Sequence, residues 1–327
     1  MGDRFVIQQH HATALHHDFR LEMVGPDGPV LASWAVPKGL PRERGTRHLA
    51  IRTPDHSMEH LDYEGAIPDD EYGGGVVRIY DRGTYEMRGR TDDRITFEID
   101  GQRLRGVWHL ISTGPKDGKE QWLALLSEDL RPPADPMPSS QPMEASGGEG
   151  PFDDSDWLFE PRWPGLRALA FCDGETRLLR GNGADVSERF PELSLVDRHL
   201  IARDAVVDGV IVAFEDGLPT SAALEKRLTT ADSKAVADLA RRSPVVYMAF
   251  DLLYLDGGTL VDEPLEGRRR LLEEAIVPAP WLQLSPATEG TGTVLSQAVT
   301  ARGLDGIVAK RKGSPYRSGA SEAWLEV

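Results

Sequence analysis

The chain has almost no cysteine. Its single thiol, Cys172 in 327 residues, excludes an internal disulfide framework and any Cys-rich zinc module. Cationic residues are also outnumbered: 37 Lys and Arg face 53 Asp and Glu, a formal net charge of −16. Gripping nucleic acid by bulk charge works through counterion release by Lys and Arg, so that mode is excluded, whereas a local cationic or metal-bearing site is not. No long apolar run occurs in the opening MGDRFVIQQHH, so neither a signal peptide nor a membrane span is expected and the cytoplasm is the expected compartment. Val6 stands where myristoylation needs Ser or Thr. No Gly-Lys-Ser/Thr follows Gly73–Gly75, so these glycines read as a tight hairpin turn rather than a P-loop.

Histidine is nearly absent from the second half. Eight of nine lie before residue 110 and only His199 beyond, and the length exceeds what one hydrophobic core usually serves. Between the halves runs a Pro-, Ser-, Gly- and acid-rich stretch without periodicity, which reads as a linker over 129–151. The expected domains are therefore 1–128 and 152–327. Residues 1–128 carry 16 Lys and Arg against 21 Asp and Glu, so most of the acid excess lies beyond them. The first half shows short alternating or apolar runs (FRLEMV, PVLASWAV, HLAIR, GVVRIYDRGTYEM, RITFEI, LRGVWHLIS) between Gly, Pro and Asp turns and no helical stripe. That pattern predicts a compact all-β barrel or sandwich. In the second half SAALEKRLT, SKAVADLARR, LEGRRRLLEEAI and GTVLSQAVTARG have helical spacing, while RALAFCDG, VVDGVIVAFEDG and VVYMAFDLLYLDG read as strands, so an α+β domain is expected.

The richest segment is QQHHATALHHDFRLEM, residues 8–23. On a strand, His16, Asp18, Arg20 and Glu22 share one face, while His17, Phe19, Leu21 and Met23 turn toward a core. A turn near 12–14 would return His10 to the same face. Two imidazoles and a carboxylate suit a divalent transition metal with positions left open for substrate. Arg20 cannot ligate a metal but can fork two hydrogen bonds onto a phosphate, so the set points to phosphate esters more than peptides. The spacing matches no stock metal signature, and a solvated edge strand with incidental histidines is the competing reading. His11 and His17 point away from the proposed face, and His109 reads as a structural strand residue. Lys38, Arg42, Arg44 and Arg47 form a small basic loop that is either a solvated turn or the best DNA-backbone contact in an acidic chain.

FVIQQHHATALHHDFRLE, SWAVPKG, DHSMEHLDYEGAIPDDEYGGG and IYDRGTYE, in that order, resemble the 3′-phosphoesterase module of bacterial DNA ligase D over about residues 4–128. The resemblance implies a β-barrel that uses a divalent metal, typically Mn2+, in non-homologous end joining. It implies trimming of DNA 3′ ends on a primer-template: a terminal ribonucleotide is removed and the remaining 3′-phosphate is hydrolysed. By the same resemblance His10, His16 and Asp18 hold the metal, Arg20 contacts phosphate, His56 contacts phosphate or donates a proton, and Lys38 lines the anionic pocket. The family often carries tyrosine where His60 stands, so reach and pKa differ at the second step. The family's N-terminal arm is mostly missing before His10, which favours phosphate hydrolysis over diesterase trimming.

FEPRWPGLRALAF, GNGADVSERFPEL, VVDGVIVAF, YMAFDLLYLDG, LEGRRRLL, GLDGIVAKRKGSPYRSG and AWLEV resemble the nucleotidyltransferase (adenylation, ATP-grasp-like) domain of ATP-dependent DNA ligases over about 155–327, without an OB-fold. The resemblance implies a lysine nucleophile in K-x-D-G-x-R, but Arg162 stands there and Pro164 replaces the aspartate. A guanidinium stays protonated at any workable pH and cannot attack a phosphate. Val210 replaces a carboxylate, Asp305 shortens another, and Glu326 replaces a lysine. A domain degenerate at its cofactor-binding positions, unable to self-adenylate, is expected. The leading expectation is a metal-dependent 3′-end phosphoesterase with an inactive ligase-like domain. The alternatives are a non-catalytic end-joining scaffold and, least favoured, an active ligase. Ku-like, polymerase or ligase components are candidate partners, the nucleoid is the expected location during repair, and no membrane association is expected.

Overall fold

The structure is a computed structural model and describes residues 3–12, 14–68 and 74–327. The chain divides into two compact units, Met1–Pro133 and Ala134–Val327. No helix among the described residues is long and apolar enough to cross a membrane.

Among the described residues the first unit has nine strands: β1 (Asp3–His11), β2 (His16–Gly25), β3 (Gly28–Val36), β4 (Arg47–His56), β5 (Gly65–Ile67), β6 (Gly75–Arg90), β7 (Arg94–Gly101), β8 (Arg105–Lys116) and β9 (Lys119–Asp129). They pair antiparallel in the order β1-β2-β3-β4-β9-β8-β7-β6, and β1 also pairs with β6, closing an eight-stranded barrel with β5 flanking β6. The period-two alternation does this work: Phe5, Ile7, Phe19, Leu21, Trp34, Phe97, Ile99 and Trp108 are buried as the inner side chains of their strands. Closure depends on close backbone approach. A Cβ on Gly75 would lie 2.2 Å from the carbonyl oxygen of His11, and its φ is +139°, so only glycine fits where β6 meets the end of β1. Of the turn expected at Gly73–Gly75, Gly73 lies outside the described residues. Asp81, fully buried on β6, accepts the backbone N–H groups of Arg82, Gln102, Arg103 and Leu104 at 2.8–3.1 Å, tying β6 to the β7–β8 turn. A 3-10 turn, Met58–Leu61, lies across β1 and β3, with Leu61 packed on Val6 and Leu31.

The second unit is α+β, as expected. One sheet has the strands Thr176–Leu179, Leu166–Cys172, Ala205–Glu215, Val245–Leu255 and Gly258–Thr259 as its path, and another contains Trp157–Pro161, Ile307–Arg311 and Gly319–Glu326. Helices form at Ala222–Thr229, Ser233–Arg242, Leu265–Ala275 and Gly292–Thr300, where the apolar spacing places them.

The stretch expected as a linker over 129–151 is ordered along part of its length. Residues from Ala134 belong to the second unit. Met143–Gly147 is a strand parallel to Gly319–Glu326, and Met143 is fully buried. The Met143 N–H donates to Tyr316 Oη at 2.8 Å, and Tyr254 Oη donates to the Asp135 carbonyl at 2.9 Å. Proline and serine in this stretch reflect an edge path whose partners lie some 170 residues away, which composition does not reveal.

Candidate active site

Hairpin register brings the site together. His10 on β1 pairs directly with His16 on β2, Gln8 with Asp18, and Val6 with Arg20, so the even-numbered residues of both strands meet on one face, outside the barrel core. The imidazole centroids of His10 and His16 are 4.8 Å apart. Asp18 approaches both: its carboxylate is 3.9 Å from His10 Nδ1 and 3.7 Å from His16 Nε2. One ligand atom from each of these three residues lies within 4.8 Å of the others. His16 Nδ1 lies 3.0 Å from the Ala14 carbonyl, which can only accept, so Nδ1 carries a proton and Nε2 is the nitrogen turned toward Asp18. A donor set of two imidazole nitrogens and a carboxylate with a fixed tautomer fits a divalent transition-metal ion.

Arg20 is buried beside this cluster, and three of its N–H groups are engaged. Nε donates to Gln8 Oε1, Nη1 to Ser33 Oγ and Nη2 to Asp18 Oδ2, each at 2.9 Å. A guanidinium has five donors, so two N–H groups lie outside these three bonds. Burial pulls Arg20 below its ordinary value and the Asp18 carboxylate partly offsets this, so the cation persists. His56, at the end of β4 opposite Leu31, stacks edge-on against His60 with centroids 4.9 Å apart. Burial, then the Arg20 and His60 charges, hold the His56 imidazolium below the usual histidine range, with smaller opposing effects from the Pro54 backbone and Asp18. His60 Nδ1 lies 3.3 Å from Ser57 Oγ.

The remaining expected residues are distributed differently. Lys38 is exposed in the turn after β3, and among the described residues no hydrogen bond or ion pair joins Lys38, Arg44 or Arg47 to the histidine–aspartate cluster. The loop carrying them is nevertheless anchored beside β2: His48 Nδ1 lies 2.8 Å from the Gly39 carbonyl, and Gly39 abuts His17. Arg42 is near enough for its charge to act on His17. His17 turns inward as alternation predicts, its ring 5.2 Å from Tyr80, and burial lowers its pKa to about 3. His109 is a strand residue between Thr96 (2.9 Å) and Arg94 (3.2 Å). The residues that sequence reasoning missed are Gln8 and Ser33. Gln8 lies two residues before His10, so the same alternation could have found it, but Ser33 joins only through cross-strand register.

In the second unit a cleft of about 640 Å³ is lined by Glu160, Arg162, Trp163, Arg167, Val210, Phe250, Lys310, Trp324 and Glu326, among others. Three of the five positions expected to be degenerate, Arg162, Val210 and Glu326, face it, while Asp305 is exposed and Pro164 half-buried outside its lining. Arg162 Nη1 pairs with Glu326 Oε2 at 3.0 Å, both about half exposed. Deeper in, Lys310 Nζ is 3.0 Å from Glu160 and lies 3.8 Å from the centre of the Phe250 ring. Burial lowers the Lys310 pKa, opposed by Glu160 and Asp251. Arg167 pairs with buried Asp208 at 2.6 Å, and Tyr316 Oη donates to that same carboxylate at 2.6 Å.

By sequence match the two units are, in order, a phosphoesterase-type domain and an ATP-dependent-ligase-type domain. The family model of the DNA Ligase D 3′-phosphoesterase domain matches residues 8–112, and that of the ATP dependent DNA ligase domain matches residues 149–327. The chain belongs to the ATP-dependent DNA ligase family, in the ligase D arrangement of these two domains. The multifunctional non-homologous end joining protein LigD of Mycobacterium bovis is 37% identical over 326 residues, covering 97% of this chain and 40% of that protein. Its Pseudomonas aeruginosa counterpart is 30% identical over 377 residues, covering 99% of this chain and 43% of that protein. The chain thus spans less than half the length of these relatives. A solved mycobacterial DNA ligase D complexed with ATP and MES is 28% identical, with a TM-score of 0.48, over 57% of this chain and 59% of that one.

Proposed function

We propose that the first unit is a Mn2+-dependent phosphoesterase acting on DNA 3′ ends in end joining, chiefly on 3′-phosphates, and that the second unit does not self-adenylate. The observation that carries the first reading is the His10–His16–Asp18 cluster with Arg20 fixed at its edge. His10, His16 and Asp18 would hold the ion, which when bound supplies Lewis-acid charge and an acidified water. Arg20 offers its two remaining N–H groups to the non-bridging oxygens and neutralises charge as the phosphoryl group is transferred to water. His56 is neutral in the free protein, and a dianionic phosphate beside it raises its proton affinity, so it can hand a proton to the departing 3′ oxygen. His60, stacked on His56, orients that imidazole and presents a second ring where a phenol would otherwise donate. Arg42, Arg44, Arg47 and Lys38 are proposed to meet the DNA backbone by local charge; the small net charge of this unit favours capture of a strand end over coating of a duplex. For the second unit, the support is Arg162, whose guanidinium occupies the expected nucleophile position and is already paired with Glu326.

The test is hydrolysis of a 3′-phosphate primer-template with manganese by wild type, His16→Ala and Asp18→Ala. The expected result is activity in wild type and loss by at least about 10²-fold in both variants. Full activity in both variants would refute the metal site. An inactive wild type that still binds DNA ends would favour a non-catalytic end-joining scaffold, and sealing of a nicked duplex would favour an active ligase.

A further inference from the structure

We propose that Gln8 is the positioning residue that holds the phosphate-binding and proton-donating halves of the site in one geometry; this rests on the phosphoesterase reading above. Gln8 is 1% exposed, in the middle of β1, and its side-chain amide joins three places. Oε1 accepts from Arg20 Nε at 2.9 Å. Nε2 donates to the carbonyl of His60 at 2.9 Å and to the carbonyl of Tyr63 at 2.8 Å. One side therefore sets the rotation of the Arg20 guanidinium, and the other clamps the turn that follows His56 and carries His60.

A second tie runs through β3, where Ser33 accepts from Arg20 and Leu31 pairs with His56, but among the described residues no other hydrogen bond joins the 57–63 turn to the Arg20 side of the site. Arg20 is anchored to β2 and β3 through Asp18 and Ser33, whereas the Met58–Leu61 turn rests on β1 and β3 through the apolar contacts of Leu61 with Val6 and Leu31. Apolar packing is weakly directional and tolerates sliding by fractions of an ångström, while three hydrogen bonds at 2.8–2.9 Å to one rigid amide do not. An amide is also the one common side-chain group that can accept from a guanidinium and donate twice to carbonyls at once. Catalytic groups displaced by about 1 Å lose much of their effect, which gives a buried, neutral amide leverage over rate without touching substrate.

The experiment separates the two halves. Gln8→Glu keeps an acceptor for Arg20 Nε but turns a carboxylate oxygen toward two carbonyls, so it should release the 57–63 turn and spare the guanidinium. Gln8→Met, close in volume, removes all three bonds. The readouts are kcat and KM on a manganese-supported 3′-phosphate primer-template, inhibition by inorganic phosphate, and the midpoint of manganese activation. Gln8→Glu should lower kcat by about 10–100-fold with phosphate inhibition near wild type, and Gln8→Met should lower kcat similarly and weaken phosphate inhibition as well. Both should leave the manganese midpoint within about twofold, because the three metal-facing residues keep their own anchors. Where Gln8→Met does not fold, Ser33→Ala removes a different Arg20 anchor and should weaken phosphate inhibition with the smaller loss in kcat. Wild-type kcat in Gln8→Glu, or parallel loss of kcat, phosphate inhibition and manganese response in that variant, would overturn the assignment. No hydrolysis by wild type would overturn the phosphoesterase reading itself.

Discussion

Replacing Arg162 with lysine tests whether the second unit lost adenylation through one residue or through its surroundings. The new amine would sit near Glu326, which now accepts from Arg162 at 3.0 Å. An ordinary lysine has only about 1 free amine in 10³ at pH 7.5. A half-exposed carboxylate at ion-pair distance adds about 1 kcal/mol in favour of the ammonium, which takes the free fraction to about 1 in 5,000. Position 162 also lacks the desolvation that would work the other way: its side chain is 41% exposed, against 3% for Lys310. Val210 and Pro164 supply no carboxylate in compensation. Arg162→Lys should therefore trap no more than trace AMP from α-labelled ATP, and Arg162→Lys with Glu326→Ala should gain about fivefold on that trace. The assay is covalent label on the purified full chain, mapped by peptide digestion. Stoichiometric labelling of Arg162→Lys within minutes would refute the reasoning, as would label found at Lys310.

Three other expectations follow from the packing. Asp81→Ala leaves four backbone N–H groups without their buried acceptor and should destabilise the barrel by about 3–5 kcal/mol in urea melts, whereas a loss under about 1 kcal/mol would show that water replaces the carboxylate. His17 has a folded pKa of about 3 against about 6.5 when unfolded. It contributes no pH dependence above about 6.5, and it then lowers barrel stability as pH falls toward 3, by about 2 kcal/mol at pH 5. His17→Phe should flatten that slope, measured as the difference between wild-type and variant urea midpoints at pH 7 and pH 5. Tyr316→Phe breaks the bonds to Asp208 and Met143 and should cost about 1–3 kcal/mol while making residues 134–147 a preferred site of protease cleavage, read by timed digestion and mass spectrometry.

Much of the barrel was legible because alternation is a local property. FRLEMV, PVLASWAV and RITFEI became β2, β3 and β7, with ends off by no more than three residues. β9 carries the same kind of signal, buried Trp122, Ala124 and Leu126, but charged ends blur it in the sequence. MEASG at 143–147 was not legible at all, since nothing local marks a strand whose partner begins at Gly319. The site followed the same division. His16, Asp18 and Arg20 share a face by spacing alone, and His10 joins them through a hairpin. Ser33 enters through the register of β2 with β3, and the Gln8 amide carries no charge or metal affinity to draw notice. In the second unit each substitution at 162 and 326 was visible singly, but their pairing, 164 residues apart in sequence, appears only in three dimensions.

The paired histidines also bear on how the hairpin chooses its alignment. His10–His11 and His16–His17 are doublets, so turning both strands over by one residue would still set imidazole against imidazole across β1 and β2. It would not set a carboxylate beside them, because Phe19 would take the place of Asp18 and the ring of Phe19, now stacked on Phe97 at 5.2 Å, would be thrown into water. A metal ion added early in refolding would thus meet two imidazoles in either alignment but a complete ligand set in only one. Ion capture and core burial would then reward the same alignment, and the duplication would be a tolerated ambiguity rather than a trap.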